Sequence, residues 1–145
     1  MQQSSAQSVA DKVRDSLLAR DNATGSLGMQ VIEVAPGRAS VSMSVREDML
    51  NGHQTCNGGL IAALADSAFA FACNSYNELT VASSFSIELL VPARHGDVLT
   101  AQCVEQLRAN RTGVYDAEVR NQRGERVALF RGRSYTLKGR AVIAQ

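Results

Sequence analysis

One carboxylate interrupts the most apolar stretch of the chain. Residues 51–74 read NGHQTCNGGLIAALADSAFAFACN, with Asp66 inside the apolar half. Burying a charged carboxylate without partners is costly, so such a group is paired, solvated by a cavity, or functional. The bland use is a carboxylate that faces solvent or caps a polar network; the functional use is the stronger reading. Gly58 and Gly59 open the same run. The first N–H groups of a helix have no internal acceptor and sit at the positive end of its dipole. Glycine lets a ligand approach that backbone closely. An N–H aimed at a carbonyl oxygen would stabilise the oxyanion formed during acyl transfer. Many helices begin with glycine only to pack tightly, so the pair alone is a weak signal. Asn57, just before it, is a good N-cap residue.

Spacing adds a constraint. Gly58 and Asp66 are eight residues apart, roughly 12 Å along a helix that rises ~1.5 Å per residue. A carbonyl carbon within about 3 Å of the amide cannot also meet a water activated by that carboxylate. If both act on one carbonyl, they come from different subunits with antiparallel helices.

Several elements must position these groups. Val9, Val13, Leu17 and Leu18 mark an amphipathic helix over 6–20, with residues 1–8 expected to be flexible. Residues 26–34 read as a strand, and Pro36-Gly37 as a turn. Ala39, Val41, Met43 and Val45 alternate with serines, the period of a half-buried strand. Residues 46–56 read as a loop. A central helix over 57–74, apolar nearly all round, is too long for a typical strand. Residues 80–91, 97–107, 113–121 and 126–137 are strands separated by short turns. The expected class is α+β, one domain over 1–145, with a curved antiparallel sheet around the central helix. One sheet cannot enclose a helix, so a second copy is the natural lid.

Composition narrows the function classes. The net charge of +1 argues against a dedicated nucleic-acid binder. Residues 108–140 nevertheless hold nine Lys/Arg against three acids. Cys56, Cys73 and Cys103 have no CxxC spacing, and with only His53 and His95 beside them no metal site is expected. Free thiols fit a reducing cytoplasm. The N-terminus lacks the pattern of a signal peptide, and Leu60–Cys73 is too short to span a membrane.

The chain resembles the hotdog-fold acyl-CoA thioesterases of the phenylacetate-degradation (PaaI) type. The resemblance rests on Leu50–Cys56, Gly58-Gly59, Leu64–Asn74, Arg111–Asp116 and Val127–Gly132, and runs over roughly residues 24–138. It implies a dimer with active sites between subunits, commonly assembled as a tetramer, that hydrolyses aryl-acyl-CoA thioesters. Phenylacetyl-CoA or its ring-hydroxylated forms are the implied substrates, with coenzyme A as part of the substrate and no separate cofactor. Asp66 matches the catalytic carboxylate, Gly58 the backbone donor, and Asn51 a polar residue that positions water or substrate. Where the family typically carries His-Gly-Gly, this chain has Asn57-Gly58-Gly59. Asparagine can cap and donate but cannot titrate near neutral pH. Activity is expected to persist; the alternative is a non-hydrolytic acyl-CoA binding or sensing protein. A hotdog dehydratase or hydratase would want a histidine on this helix, which has none.

The remaining candidates are peripheral. Arg111, Arg131 and Arg133 are candidate partners for the CoA phosphates, or ordinary solvated charge. Ser83 or Ser84 faces the substrate, or is a tolerated strand serine. Phe69 and Phe71 line an acyl pocket together with the loop 46–56, or fill the core. The cysteines read as small core residues rather than nucleophiles.

Overall fold

A computed structural model describes residues 5–143. Helix α1 (Ala6–Leu18) begins at Ser5, whose side chain accepts from the Ser8 amide at 3.0 Å. Of the stretch expected to be flexible, residues 1–4 lie outside the described residues, and 5–8 form this cap and first turn. Ala10 and Val13 are buried and Leu17 packs on the core, whereas Leu18 stays exposed.

The strand expected from Ser26 starts later. Asp21 caps a short helix, α2 (Asn22–Ser26), accepting from the Thr24 amide at 3.2 Å and the Thr24 hydroxyl at 2.6 Å. A local side-chain cap thus takes these residues before any strand ladder can. Strands β1 (Gln30–Ala35) and β2 (Arg38–Ser44) follow, and a single 3₁₀ turn, Glu47–Met49, interrupts the loop after them. Helix α3 is Gly58–Asn74. Then come β3 (Thr80–Leu89), β4 (Val98–Ala109), β5 (Thr112–Arg120) and β6 (Arg126–Thr136).

All six strands pair antiparallel in one sheet, ordered β1-β2-β4-β5-β6-β3. The last four strands are therefore not a plain meander. β3 pairs with β6 at the sheet edge, and residues 90–97 carry the chain across to β4 in the interior.

The inner face of the sheet packs on α3. Val41 and Met43 of β2, Leu99 and Ala101 of β4, Tyr115 and Val119 of β5, and Phe130 of β6 meet Leu64, Ala65, Ala68 and Phe69 in one buried core. A Cβ on Gly132 would lie 2.7 Å from the Phe69 ring. The helix approaches β6 this closely only because residue 132 has no side chain. Phe69 also meets Tyr115 and Phe130, with ring centroids 5.5 and 5.8 Å away. Both Phe69 and Phe71 are buried, so Phe69 belongs to the core rather than to a pocket wall.

Asn74 ends the helix. Its buried carboxamide donates to the carbonyls of Ala70 at 2.8 Å and Thr80 at 3.0 Å, and accepts from the Thr80 amide at 2.9 Å. This ties the C-terminus of α3 to the start of β3. No helix among the described residues is long and apolar enough to cross a membrane.

Candidate active site

The first turn of α3 leaves one donor open. Asn57 caps it, its side-chain oxygen accepting the Gly59 amide at 2.8 Å. The Asn57 carbonyl accepts from Leu60 at 3.0 Å and Ile61 at 3.4 Å. Of the first four helical amides, only that of Gly58 has no acceptor among the described residues. A Cβ at this position would lie 2.6 Å from Leu89 Cδ1. Any side chain here would push Leu89 aside and crowd the approach to the amide.

Asn51 organises the loop before the helix. Its side-chain oxygen accepts from the His53 amide at 2.9 Å and the Thr55 amide at 3.2 Å, and its Nδ2 donates to Thr55 Oγ1 at 3.0 Å. Asn51 and Gly58 line one hollow of ≈240 Å³, whose apolar side includes Ile61, Leu89, Leu90 and Val91. Sequence reasoning missed the wall formed by the end of β3 and the crossover after it. Its only signal was the apolar run Leu89-Leu90-Val91 before Pro92.

Asp66 lies in the second turn after this one, half-buried, with no side-chain hydrogen bond or ion pair acting on its carboxyl among the described residues. Burial pushes its carboxyl above the ordinary value of 3.8. It opens into a different hollow, of ≈440 Å³, between α3 and the N-terminal helices, lined by Leu17, Arg20, Ser67 and Phe71. The two hollows share no residue. Because α3 is continuous from Gly58 to Asn74, the roughly 12 Å separation expected from the helical rise stands within one protomer.

The other candidates lie elsewhere in the protomer. Ser83 occupies the bulge of β3 and donates to the Arg133 carbonyl at 3.1 Å, and Ser84 pairs with Arg133 across the ladder. Neither lines the hollow at Gly58 or the one at Asp66. Arg131 and Arg133 do share a strand face, but Phe130, Gly132 and Ser134 alternate with them and point to the core. The arginines therefore point outward, away from α3. Arg131 is held by Asp116 through two contacts, at 2.6 and 2.8 Å. Arg111 sits exposed in the β4–β5 turn. Arg111 and Arg133 make no ion pair among the described residues, whereas Arg108, Arg120, Arg123 and Arg126 all do. His53 and His95 are exposed.

The thiols are chemically quiet. All three cysteines are buried, and burial pushes Cys73 up to about 12. They remain protonated at neutral pH and cannot serve as thiolate nucleophiles. No cluster of three or more His, Cys, Asp or Glu among the described residues is placed to hold a metal ion.

An unpaired helix-terminal amide and a carboxylate on the same helix, under a sheet of this order, define a class. Residues 53–128 match the thioesterase superfamily. The chain belongs to that superfamily, as a hotdog-fold thioester hydrolase of the PaaI type. It is 46% identical over 119 residues to acyl-coenzyme A thioesterase PaaI of Escherichia coli, spanning 82% of this chain and 85% of that protein. The solved structure of the E. coli PaaI protein from the phenylacetic acid degradation operon superposes with a TM-score of 0.92 at 42% identity, covering 94% of this chain and 99% of that one. The structure of TT0310 protein from Thermus thermophilus gives a TM-score of 0.78 at 42% identity, over 81% of this chain and 99% of that one.

Proposed function

We propose that this thioesterase hydrolyses phenylacetyl-CoA or a ring-hydroxylated phenylacetyl-CoA to the free acid and CoA, at sites shared by two subunits. The observation that carries the reading is the Gly58 amide, unclaimed in the first turn of α3 among the described residues, on the same helix as a carboxylate too distant to work with it in one protomer. The Gly58 amide holds the thioester oxygen and stabilises the oxyanion that develops on it. Asp66 of the partner subunit either activates water or attacks the carbonyl carbon to form a mixed anhydride that water then opens. The CoA thiolate leaves in both routes. Asn51 acts through the loop it organises beside Gly58, and water is the only other reactant.

The assembly follows from what a single chain leaves uncovered. β3 is an edge strand, and Val81, Phe85 and Leu89 on it are 46%, 46% and 54% exposed. An uncapped edge of ten residues is a template for pairing with another chain. Gly59, Ala63, Asp66 and Ala70 recur every three to four residues along the outward side of α3 and are small enough for close helix packing. Pairing two β3 edges about a two-fold axis continues the sheet and lays the two α3 helices antiparallel. Two such dimers make the tetramer that the PaaI resemblance implies.

The test is release of CoA thiol from phenylacetyl-CoA. Wild-type protein is expected to turn over, and Asp66→Asn to lose at least about a hundredfold in kcat. An Asp66→Asn protein with normal folding and undiminished turnover would overturn the assignment. Tight binding without thiol release would instead favour the non-hydrolytic alternative. Single turnover in heavy-oxygen water separates the two routes, since label enters Asp66 only through the anhydride.

A further inference from the structure

The segment after β6 makes contacts that the reading above does not use. Beyond the strand the chain turns at Gly139, whose φ is +82°, and meets the start of β3. The Leu137 amide donates to the Leu79 carbonyl at 2.8 Å, and the Leu79 amide to the Arg140 carbonyl at 2.9 Å. Val142 is then buried, only 2% exposed. The Val142 and Ile143 amides both donate to Asn77 Oδ1, at 3.1 and 2.9 Å. The Val142 carbonyl accepts from Arg20 Nη2 at 2.8 Å. Residues 137–143 thus tie the turn after α3 to the turn after α1.

Both ends of that tie lie at the Asp66 hollow. Leu17 and Arg20 line it from α1 and the turn that follows, and Leu79 lines it from the chain entering β3. The first half of α1 is fixed without the tie: Ala10 and Val13 are fully buried, and Gln7 Nε2 donates to the Val34 carbonyl at 2.7 Å. Its last turn has less to hold it. Leu17 is only partly buried, Leu18 is 39% exposed, and the Arg20 side chain otherwise bonds Ser16, one turn back in α1. We propose that residues 137–143 are a strap that holds the end of α1 at the Asp66 hollow, and that Asn77 is the positioning residue that fastens the strap. The proposal rests on Asp66 being the catalytic carboxylate. The strap sets how firmly the acyl-CoA is held and leaves the bond-breaking step to Asp66 and Gly58. Each of its contacts lies within one chain, so the grip does not depend on how a partner subunit meets the hollow. A ligand that needs α1 in place tightens the strap as much as the strap tightens the ligand.

Asn77 allows a clean test. Its φ of 65° lies in the left-handed region, which asparagine, aspartate and glycine all enter. Asn77→Gly removes both bonds to the strap without straining the backbone. Asn77→Asp keeps an oxygen that accepts two amides. Turnover is measured on phenylacetyl-CoA, and binding on its thioether S-(2-phenylethyl)-CoA, which cannot be hydrolysed. Asn77→Gly is expected to raise KM and the thioether Kd about tenfold, with kcat within about twofold, and to speed amide exchange in residues 17–20. Asn77→Asp should stay within about twofold of wild type in KM, Kd and kcat. Lower stability of Asn77→Gly with KM and Kd unchanged would overturn the proposal and leave the strap a purely structural tie. A loss confined to kcat would overturn it too. Should Asn77→Gly fail to fold, wild type decides by hydrogen exchange. Bound thioether should slow exchange in both 17–20 and 140–143, and no protection of the strap would sink the coupling. Wild type that binds the thioether but does not hydrolyse phenylacetyl-CoA removes the catalytic reading, while binding and exchange still judge the strap. Wild type that does neither removes both.

Discussion

Asn57 stands where the family it resembles carries histidine, and its hydrogen bonds explain how the site tolerates the exchange. By accepting the Gly59 amide at 2.8 Å, it leaves the Gly58 amide as the one first-turn donor of α3, among the described residues, free to meet a carbonyl oxygen. Asn57→Ala frees the Gly59 amide and should cost about 1 kcal/mol of stability, read by denaturant unfolding. Asn57→Asp keeps the cap, so stability should hold, but it places a negative charge beside the developing oxyanion. A loss of about 1.4 kcal/mol of transition-state stabilisation there lowers kcat about tenfold, with KM affected less.

Asp66 carries the second residue-level consequence. Burial raises its carboxyl above the ordinary value of 3.8, so the folded protein holds this proton to higher pH than the unfolded chain does. Stability contributed by the protonated form is therefore lost as pH rises from 3.8 through the folded value. Asp66→Asn should melt higher than wild type at pH 7 and alike at pH 3, by thermal unfolding. The same ionisation is required for catalysis, so the acid limb of kcat/KM should also lie above 3.8.

Among the elements, the crossover from β3 to β4 does most to shape the site, because it ends the wall at Leu89–Ala93 and must then re-enter the sheet. Asp97 anchors that return. Its side chain, only 6% exposed, accepts from the Arg94 amide at 2.9 Å and Gln122 Nε2 at 2.9 Å, and Arg123 lies 3.3 Å away. The Arg94 amide, then Gln122, hold the carboxyl below the ordinary 3.8. This stabilisation is present above 3.8 and fades as pH falls through the lower folded value. Asp97→Ala should cost about 1–3 kcal/mol at pH 7, a gap that closes in acid, measured by urea unfolding across pH. Nothing in the sequence marked Asp97, because its side-chain partners, Gln122 and Arg123, arrive from the β5–β6 turn twenty-five and twenty-six residues on. The helix α3 was legible from its apolar composition and length, β2 from its alternation, and the later strands from β-favouring runs between turns. The order of the sheet was not. Local pattern cannot say that β3 pairs with β6 at the sheet edge rather than with β4, the next strand in the chain. The same gap hid Leu89 from view as the neighbour of Gly58. It also left Arg131 open between a phosphate partner and ordinary surface charge, because its cross-strand neighbour Asp116 was out of view.

On the scale of the whole molecule, the eight residues between Gly58 and Asp66 make a prediction that no single-site variant can. Gly58→Pro removes the amide hydrogen at the first position of a helix, where proline fits without breaking it. The Leu89 methyl that a new Cβ would meet is the far end of a flexible side chain. Asp66→Asn removes the carboxylate. Each variant alone should be nearly inactive. If the site joins Gly58 of one subunit to Asp66 of its partner, a mixed dimer of the two variants holds one site with both groups intact and one with neither. Unfolding and refolding equal amounts together gives half mixed dimers, so about a quarter of wild-type activity should return. Gel filtration must show that both variants pair normally. Should the mixture stay as inactive as its components while mixed dimers form, both groups would act within one chain. The roughly 12 Å between them would then have to be closed by movement rather than by symmetry.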